Sequence, residues 1–179
     1  MGRFVNVFKG VNMFQKNFYL FLLLFFFGCS TVSMSNYIKD DHPYKKKFDA
    51  DYENVKKITM DALKKFGWTI EGESEPSIFE AVKEIENPDA KQIMLFTTIR
   101  HSGFFVGSSY SRVNVFLRGY KNEFTEVEIR YIKLTTVPLK RFTGYRQDAL
   151  VKKIFNQIQK KLDDIDKANL SYGQVPSPK

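Results

Sequence analysis

The 179-residue sequence holds one cysteine, Cys29, and two histidines, His42 and His101. A lone cysteine excludes a disulfide within the chain and any metal site built from several cysteines. Two histidines so far apart offer no zinc-ligand spacing. No metal site and no cofactor are expected. A membrane-crossing helix needs about twenty apolar residues, whereas the apolar run over 18–27 has ten. Gly103 and Gly107 do not form a phosphate-cradling pattern. Carboxylates are numerous, but spacing marks out no pair of them. His101 and Ser102 are adjacent. Neighbours on a strand point to opposite faces, so His101 is badly placed to serve Ser102 as a base. No catalytic residue is expected, and the chain reads as a non-enzyme.

Charge narrows the classes further. The formal net charge is +8. Without Arg3, Lys9 and Lys16, the 28 basic residues fall to 25 against 20 acidic ones, a net +5. Basic and acidic residues alternate in most segments and no basic aromatic motif stands out, so no nucleic-acid partner is expected. A mild positive charge suits an anionic surface, and equally an ordinary soluble domain.

The N-terminus carries the strongest signal. Arg3, Lys9 and Lys16 precede the run over 18–27, Phe-Tyr-Leu-Phe-Leu-Leu-Leu-Phe-Phe-Phe. A positive stretch before a short apolar one is the pattern of an export signal. A start at Met13 would give a compact signal of ordinary length. The run ends at Phe26-Phe27-Gly28-Cys29-Ser30. This resembles the lipobox of bacterial envelope lipoproteins, in which a small residue stands before a cysteine. Phe26 and Phe27 depart from the Leu and small residue usual there. The resemblance implies that residues 1–28 are a signal peptide, cut before Cys29, and that the Cys29 thiol receives a diacylglycerol. It also implies a cell-envelope location on the periplasmic side. Ser30, being other than Asp, points to the outer membrane. The alternative is a simple export signal, with Thr31-Val32-Ser33 as a small-x-small cleavage site.

Residues 29–48 read as the lipidated cysteine and a tether, with Ser, Thr, Asn, Asp, Pro and Lys and no sustained periodicity. Lys45-Lys46-Lys47 could be drawn to anionic headgroups or be plain solvated linker. The domain is expected over 49–165, with a loose tail over 166–179.

Over 49–66, Tyr52, Val55, Ile58, Thr59, Ala62, Leu63 and Phe66 recur at spacings of three and four, which predicts an amphipathic helix. Asp49 or Asp51 can cap it, and Gly67 can stop it. Strands are expected over 68–71, 77–84, 92–100, 112–118 and 125–133, from alternation such as Val113, Val115, Leu117 and Val127, Ile129, Tyr131. Gly119–Glu123 fits a hairpin loop. Residues 134–142 contain Pro138 and read as a connector. A second helix is expected over 143–165, with Tyr145, Ala149, Leu150, Ile154, Phe155, Ile158, Leu162 and Ile165 on one face. The fold class is α+β: a single antiparallel sheet of about five strands with an N-terminal and a C-terminal helix on one face. The sheet's other face carries charges and is expected to be partly wet.

Between two strands, Phe104, Phe105 and Tyr110 stand among Gly and Ser. They are candidates for contact with a partner or a membrane. Alternatively they fold back over a sheet edge.

The phrase Tyr52-x-x-Val55, Ala62-Leu63-x-x-Phe66-Gly67-Trp68-x-Ile70, followed by strands and a long closing helix, is similar in layout to the helix-grip domains of the C-subunit lipoprotein of the β-barrel assembly machinery. It implies a non-enzymatic envelope role. Beside a hydrolase, which would need a cleft gathering polar side chains from distant strands, two functions lead. One is an anchored lipoprotein that binds an envelope protein partner, as accessory or scaffold. The other is a carrier of a small ligand or lipid, with a pocket between sheet and C-terminal helix.

Overall fold

The computed structural model describes residues 33–79, 91–104, 107–120, 124–137 and 140–172, without the side chains of Phe104 and residues 170–172. The expected signal peptide, Cys29, Phe105, Pro138 and residues 173–179 lie outside the described residues. The chain divides into two compact units, Met1–Met34 and Ser35–Lys179, and all elements below belong to the second.

The first helix, α1, spans Tyr52–Lys65. Asp51 caps it, its carboxylate accepting from the Asn54 N–H at 3.0 Å. Its end is a Schellman turn. The Trp68 N–H reaches the Leu63 carbonyl and the Gly67 N–H the Lys64 carbonyl, both at 2.9 Å. Gly67 sits at φ +78°, where a side chain would be strained.

Seven antiparallel strands form one sheet among the described residues: β1 Tyr44–Phe48, β2 Ile70–Ser74, β3 Gln92–Thr97, β4 Arg100–Phe104, β5 Gly107–Tyr120, β6 Phe124–Val137 and β7 Lys140–Gly144. The order is β1-β6-β5-β3-β2, with β4 also paired to β5 and β7 to β6. The class is α+β with one antiparallel sheet, as expected. β5 and β6, at 14 residues each, run its whole length, about 45 Å at roughly 3.3 Å per residue. Beside β5, β3 covers one half and β4 the other. Beside β6, β1 and β7 divide the length in the same way.

Several expected boundaries move. The single strand over 92–100 is two, β3 and β4, broken at Thr98–Ile99. At the break the Thr97 hydroxyl takes over the ladder: it accepts from the Val113 N–H at 3.0 Å and donates to the Val113 carbonyl at 2.9 Å. Thr97 and Val113 are both fully buried. Thr97→Val keeps the shape and strands both backbone groups, each costing about 1–3 kcal/mol when unpaired. A loss of about 2 kcal/mol in a urea titration is expected, and an unchanged midpoint would contradict it.

The expected connector over 134–142 instead belongs to the end of β6 and the start of β7, apart from Pro138 and Leu139, which lie outside the described residues. β-branched Thr135, Thr136 and Val137 favour the strand, and pairing with β7 completes it. The expected strand over 77–84 begins as a 3₁₀ turn, Pro76–Ile78, and continues outside the described residues. The tether over 29–48 is shorter than expected, because Tyr44–Phe48 is β1, registered from Tyr44 opposite Ile129 to Phe48 opposite Thr125.

The second helix, α2, spans Asp148–Tyr172. It starts later than residue 143 because Thr143 and Gly144 belong to β7. Tyr44 of β1 fixes its start: the hydroxyl donates to the Asp148 carboxylate and accepts from the Gln147 N–H at 2.9 Å. The expected loose tail over 166–179 is helical as far as Tyr172; no Gly or Pro interrupts the chain before Gly173.

The main core joins both helices to one alternating set of strand residues. Val55, Ile58, Leu63, Val151, Ile154, Ile158 and Leu162 meet Leu95, Val113, Val115, Leu117, Val127, Ile129 and Tyr131. Each such side chain taken out of water contributes about 1.5–3 kcal/mol.

Candidate functional site

Alternation that sends Val113, Val115 and Leu117 to the helices sends Arg112, Asn114, Phe116 and Arg118 to the opposite face. On β6 the same rule places Glu126, Glu128 and Arg130 there, and the register sets Asn114 opposite Arg130, Phe116 opposite Glu128, and Arg118 opposite Glu126. This is the face expected to be partly wet. Its margin is, with Lys45 50 % and Arg118 21 % exposed, but its centre is dry: Glu128 is 1 % exposed, Asn114 1 %, Arg112 3 % and Arg130 5 %.

Glu128 is the hub of the charges. Arg130 donates to it from Nε at 2.7 Å and Arg118 from Nη1 at 3.2 Å. Lys45 of β1 stands 3.2 Å away. Arg118 also pairs with Glu126 at 2.9 Å and lies 3.9 Å over the Phe116 ring. Burial alone would raise the Glu128 pKa, but Arg130, Lys45 and Arg118 outweigh burial and hold it below the ordinary carboxylate value.

What dries this face is the segment Ser35–Ile38, part of the expected tether. Arg112 donates to the Ser35 carbonyl at 3.0 Å and to the Asn36 side-chain oxygen at 2.5 Å. Asn114 donates to the Asn36 carbonyl at 2.9 Å. Arg130 donates to the Tyr37 hydroxyl at 2.8 Å and the Ile38 carbonyl at 3.3 Å. Ile38 is 2 % exposed. Tyr37 stacks on Phe79 at 5.3 Å and borders a second small core of Met94, Phe96 and Phe116. Arg112 reaches across to Glu71 of β2 at 3.0 Å as well. The segment is therefore a strap, fastened by three side chains of the sheet.

Tyr110, expected in a flexible loop, lies within β5 opposite His101, with the two rings 4.8 Å apart. Its ring is thus folded onto the sheet. Phe104 closes β4 opposite Gly107, and Phe105 lies outside the described residues. His101 and Ser102 are neighbours on β4, opposite Tyr110 and Ser109 respectively, and so project to different faces. Among the described residues no three His, Cys, Asp or Glu side chains gather as a metal would require, and no helix is long and apolar enough to cross a membrane.

The strap had a faint trace in the sequence. Tyr37-Ile38 is the one apolar pair between Met34 and Tyr44. Two residues carry no period, and Arg130, which hydrogen-bonds both, lies 93 and 92 residues away. Comparisons with family models, with curated proteins and with solved structures find no match to this chain.

Proposed function

We propose that this chain is a bacterial envelope lipoprotein, anchored through lipid on Cys29, that works by binding a partner in a membrane-associated assembly. The observation that carries it is the position of Cys29, directly after Gly28 and the ten apolar residues over 18–27. A single acyl chain holds a protein only marginally, at about 0.8 kcal/mol per buried methylene, so the two chains of a diacylglycerol make the anchor firm. On this reading the domain faces the periplasm, on the outer membrane, and has no catalytic role.

The strap adds a constraint on how such a lipoprotein works. A tether ending at residue 48 would let the domain roam. Fastened at Ser35, the chain has only six residues back to Cys29, which span at most about 20 Å when fully extended. The domain would be held close to the bilayer, as suits an accessory to an assembly embedded there.

A carrier is less well supported. Where its pocket was expected, Val151, Ile154, Ile158 and Leu162 of α2 pack into the main core. The partner is tested by crosslinking in intact envelopes, followed by purification through the C-terminal end. A stable, specific envelope protein should be recovered. Recovery of the chain alone, under crosslinking that captures known neighbours in the same envelopes, would contradict a binding role.

A further inference from the structure

One half of the sheet extends beyond the helices. There β4, the first part of β5, the last part of β6 and β7 form a four-stranded ribbon. Every residue of β7 is exposed. Phe142 on this strand is 51 % exposed, and Tyr145, just after it, 42 %.

The ribbon's charge is one-sided. Residues 99–112 and 132–147 contain Arg100, Arg112, Lys133, Lys140, Arg141 and Arg146, and no Asp or Glu. From Cys29 onward the rest of the chain has 19 basic against 20 acidic residues. The net positive charge of the domain is therefore the charge of this ribbon. Three of the six are engaged within the fold. Arg112 pairs with Glu71, Arg100 donates to the Phe66 carbonyl at 3.1 Å, and Arg146 stacks on Tyr44 and pairs with Asp148 at 3.3 Å. Lys133, Lys140 and Arg141 are exposed, on and beside the edge strand.

The strap ends at the root of the same ribbon. Ser35 is fastened to Arg112, which stands opposite Ile132, one residue before Lys133 and its partner Gly144. The Arg112 backbone is two strand spacings from β7, about 10 Å, but its guanidinium, and Ser35 with it, turns the other way, toward Glu71 of β2. A chain leaving Ser35 for Cys29 reaches no more than about 20 Å. A lipid on Cys29 would thus keep the domain beside a bilayer.

We infer that the β7 edge of the ribbon is a second membrane contact, docking on an anionic lipid surface through Lys133, Lys140 and Arg141 with Phe142 and Tyr145 at the headgroup level. Exposed cations beside exposed aromatics suit that boundary: the ammonium and guanidinium groups meet lipid phosphates, and the rings sit at the interface. Lysine on an edge strand also discourages pairing with other chains. That role alone needs neither the aromatics nor a ribbon without carboxylates. The inference takes the presence of a bilayer from the proposed Cys29 anchor, but the contact itself can be read without any lipid on the protein.

The test uses the chain from residue 29 onward with Cys29→Ser. The complete core lies within Ser35–Lys179, so this form retains the fold. Binding is measured by co-sedimentation with phosphatidylcholine vesicles, with and without phosphatidylglycerol, at low salt. The protein should bind the anionic vesicles and not the neutral ones. Each basic residue near such a surface is worth about a fivefold change, so Lys133→Gln/Lys140→Gln/Arg141→Gln should weaken binding on the order of a hundredfold. A charge-matched control on α2, Lys152→Gln/Lys153→Gln/Lys160→Gln, should change it little. Thermal unfolding verifies that both variants are folded. No binding to anionic vesicles, equal binding to neutral ones, an unaffected ribbon variant, or an equal loss in the α2 control would each overturn the inference. None of these outcomes bears on acylation of Cys29, which the mass of the native N-terminus reads separately.

Discussion

Glu128→Gln should lower the unfolding free energy by about 3–5 kcal/mol, the usual cost of removing one partner from a buried ion pair. The carboxylate is 1 % exposed and is approached by Arg130, Arg118 and Lys45. With the charge gone, Arg130 stays buried at 5 % exposure without its nearest counter-charge. The strap suffers too, because Arg130 holds Tyr37 and Ile38. The same group sets an acid limit. Its folded pKa is depressed, so its contribution is complete above the ordinary carboxylate range and is lost as pH falls through the lowered folded value. Urea midpoints across the acid range should therefore fall more steeply for the unmodified protein than for Glu128→Gln. Parallel profiles, or a midpoint unaffected by the substitution at neutral pH, would contradict the hub role.

Ile38→Ala should cost about 2–5 kcal/mol, the range for truncating a buried aliphatic side chain. This separates a strap from a tether. In a loose tether a surface substitution stays within about 0.5 kcal/mol. Ile38 is 2 % exposed, and its carbonyl accepts from Arg130. Limited proteolysis gives a second readout: cleavage over residues 35–43 should be slow in the unmodified protein and fast in Ile38→Ala. A neutral substitution with rapid cleavage in both proteins would return this segment to a tether.

How far the sequence carried depended on how local each interaction is. α1 was legible because an apolar stripe, the Asp51 cap and the Gly67 stop all lie within one segment. The centres of β5 and β6 were legible because one face is apolar, and strict alternation followed. β1 was not, because Lys45, Lys46 and Lys47 hide an alternation in which Tyr44, Lys46 and Phe48 turn inward. Lys46 joins that face by lying over the Phe48 ring at 4.8 Å. Ser-rich Gly107–Ser111 has little strand preference of its own and is a strand because β4 and β6 pair with it on both sides.

The charged face shows the same lesson in the candidate site. Arg112, Glu128 and Arg130 alternate with apolar residues, which is the mark of a solvent-facing side. Arg112 and Arg130 are covered by residues 35–38, and Glu128 by Arg130, Arg118 and Lys45; the return of 35–38 is encoded in pairs far apart in sequence. The ribbon's charge, in contrast, could be read directly from residues 99–112 and 132–147. Its significance needed the strand register, which brings those two stretches side by side.

Anchoring at Cys29 is the claim on which the short tether and the bilayer-facing ribbon both bear. The most direct measurement is the mass of the N-terminal peptide of the protein isolated from bacterial envelopes. A peptide beginning at Cys29 and carrying a thioether-linked diacylglycerol is the expected result. An unmodified Cys29, or a mature N-terminus beyond it near Ser33, would contradict lipid anchoring and leave an exported, unanchored domain.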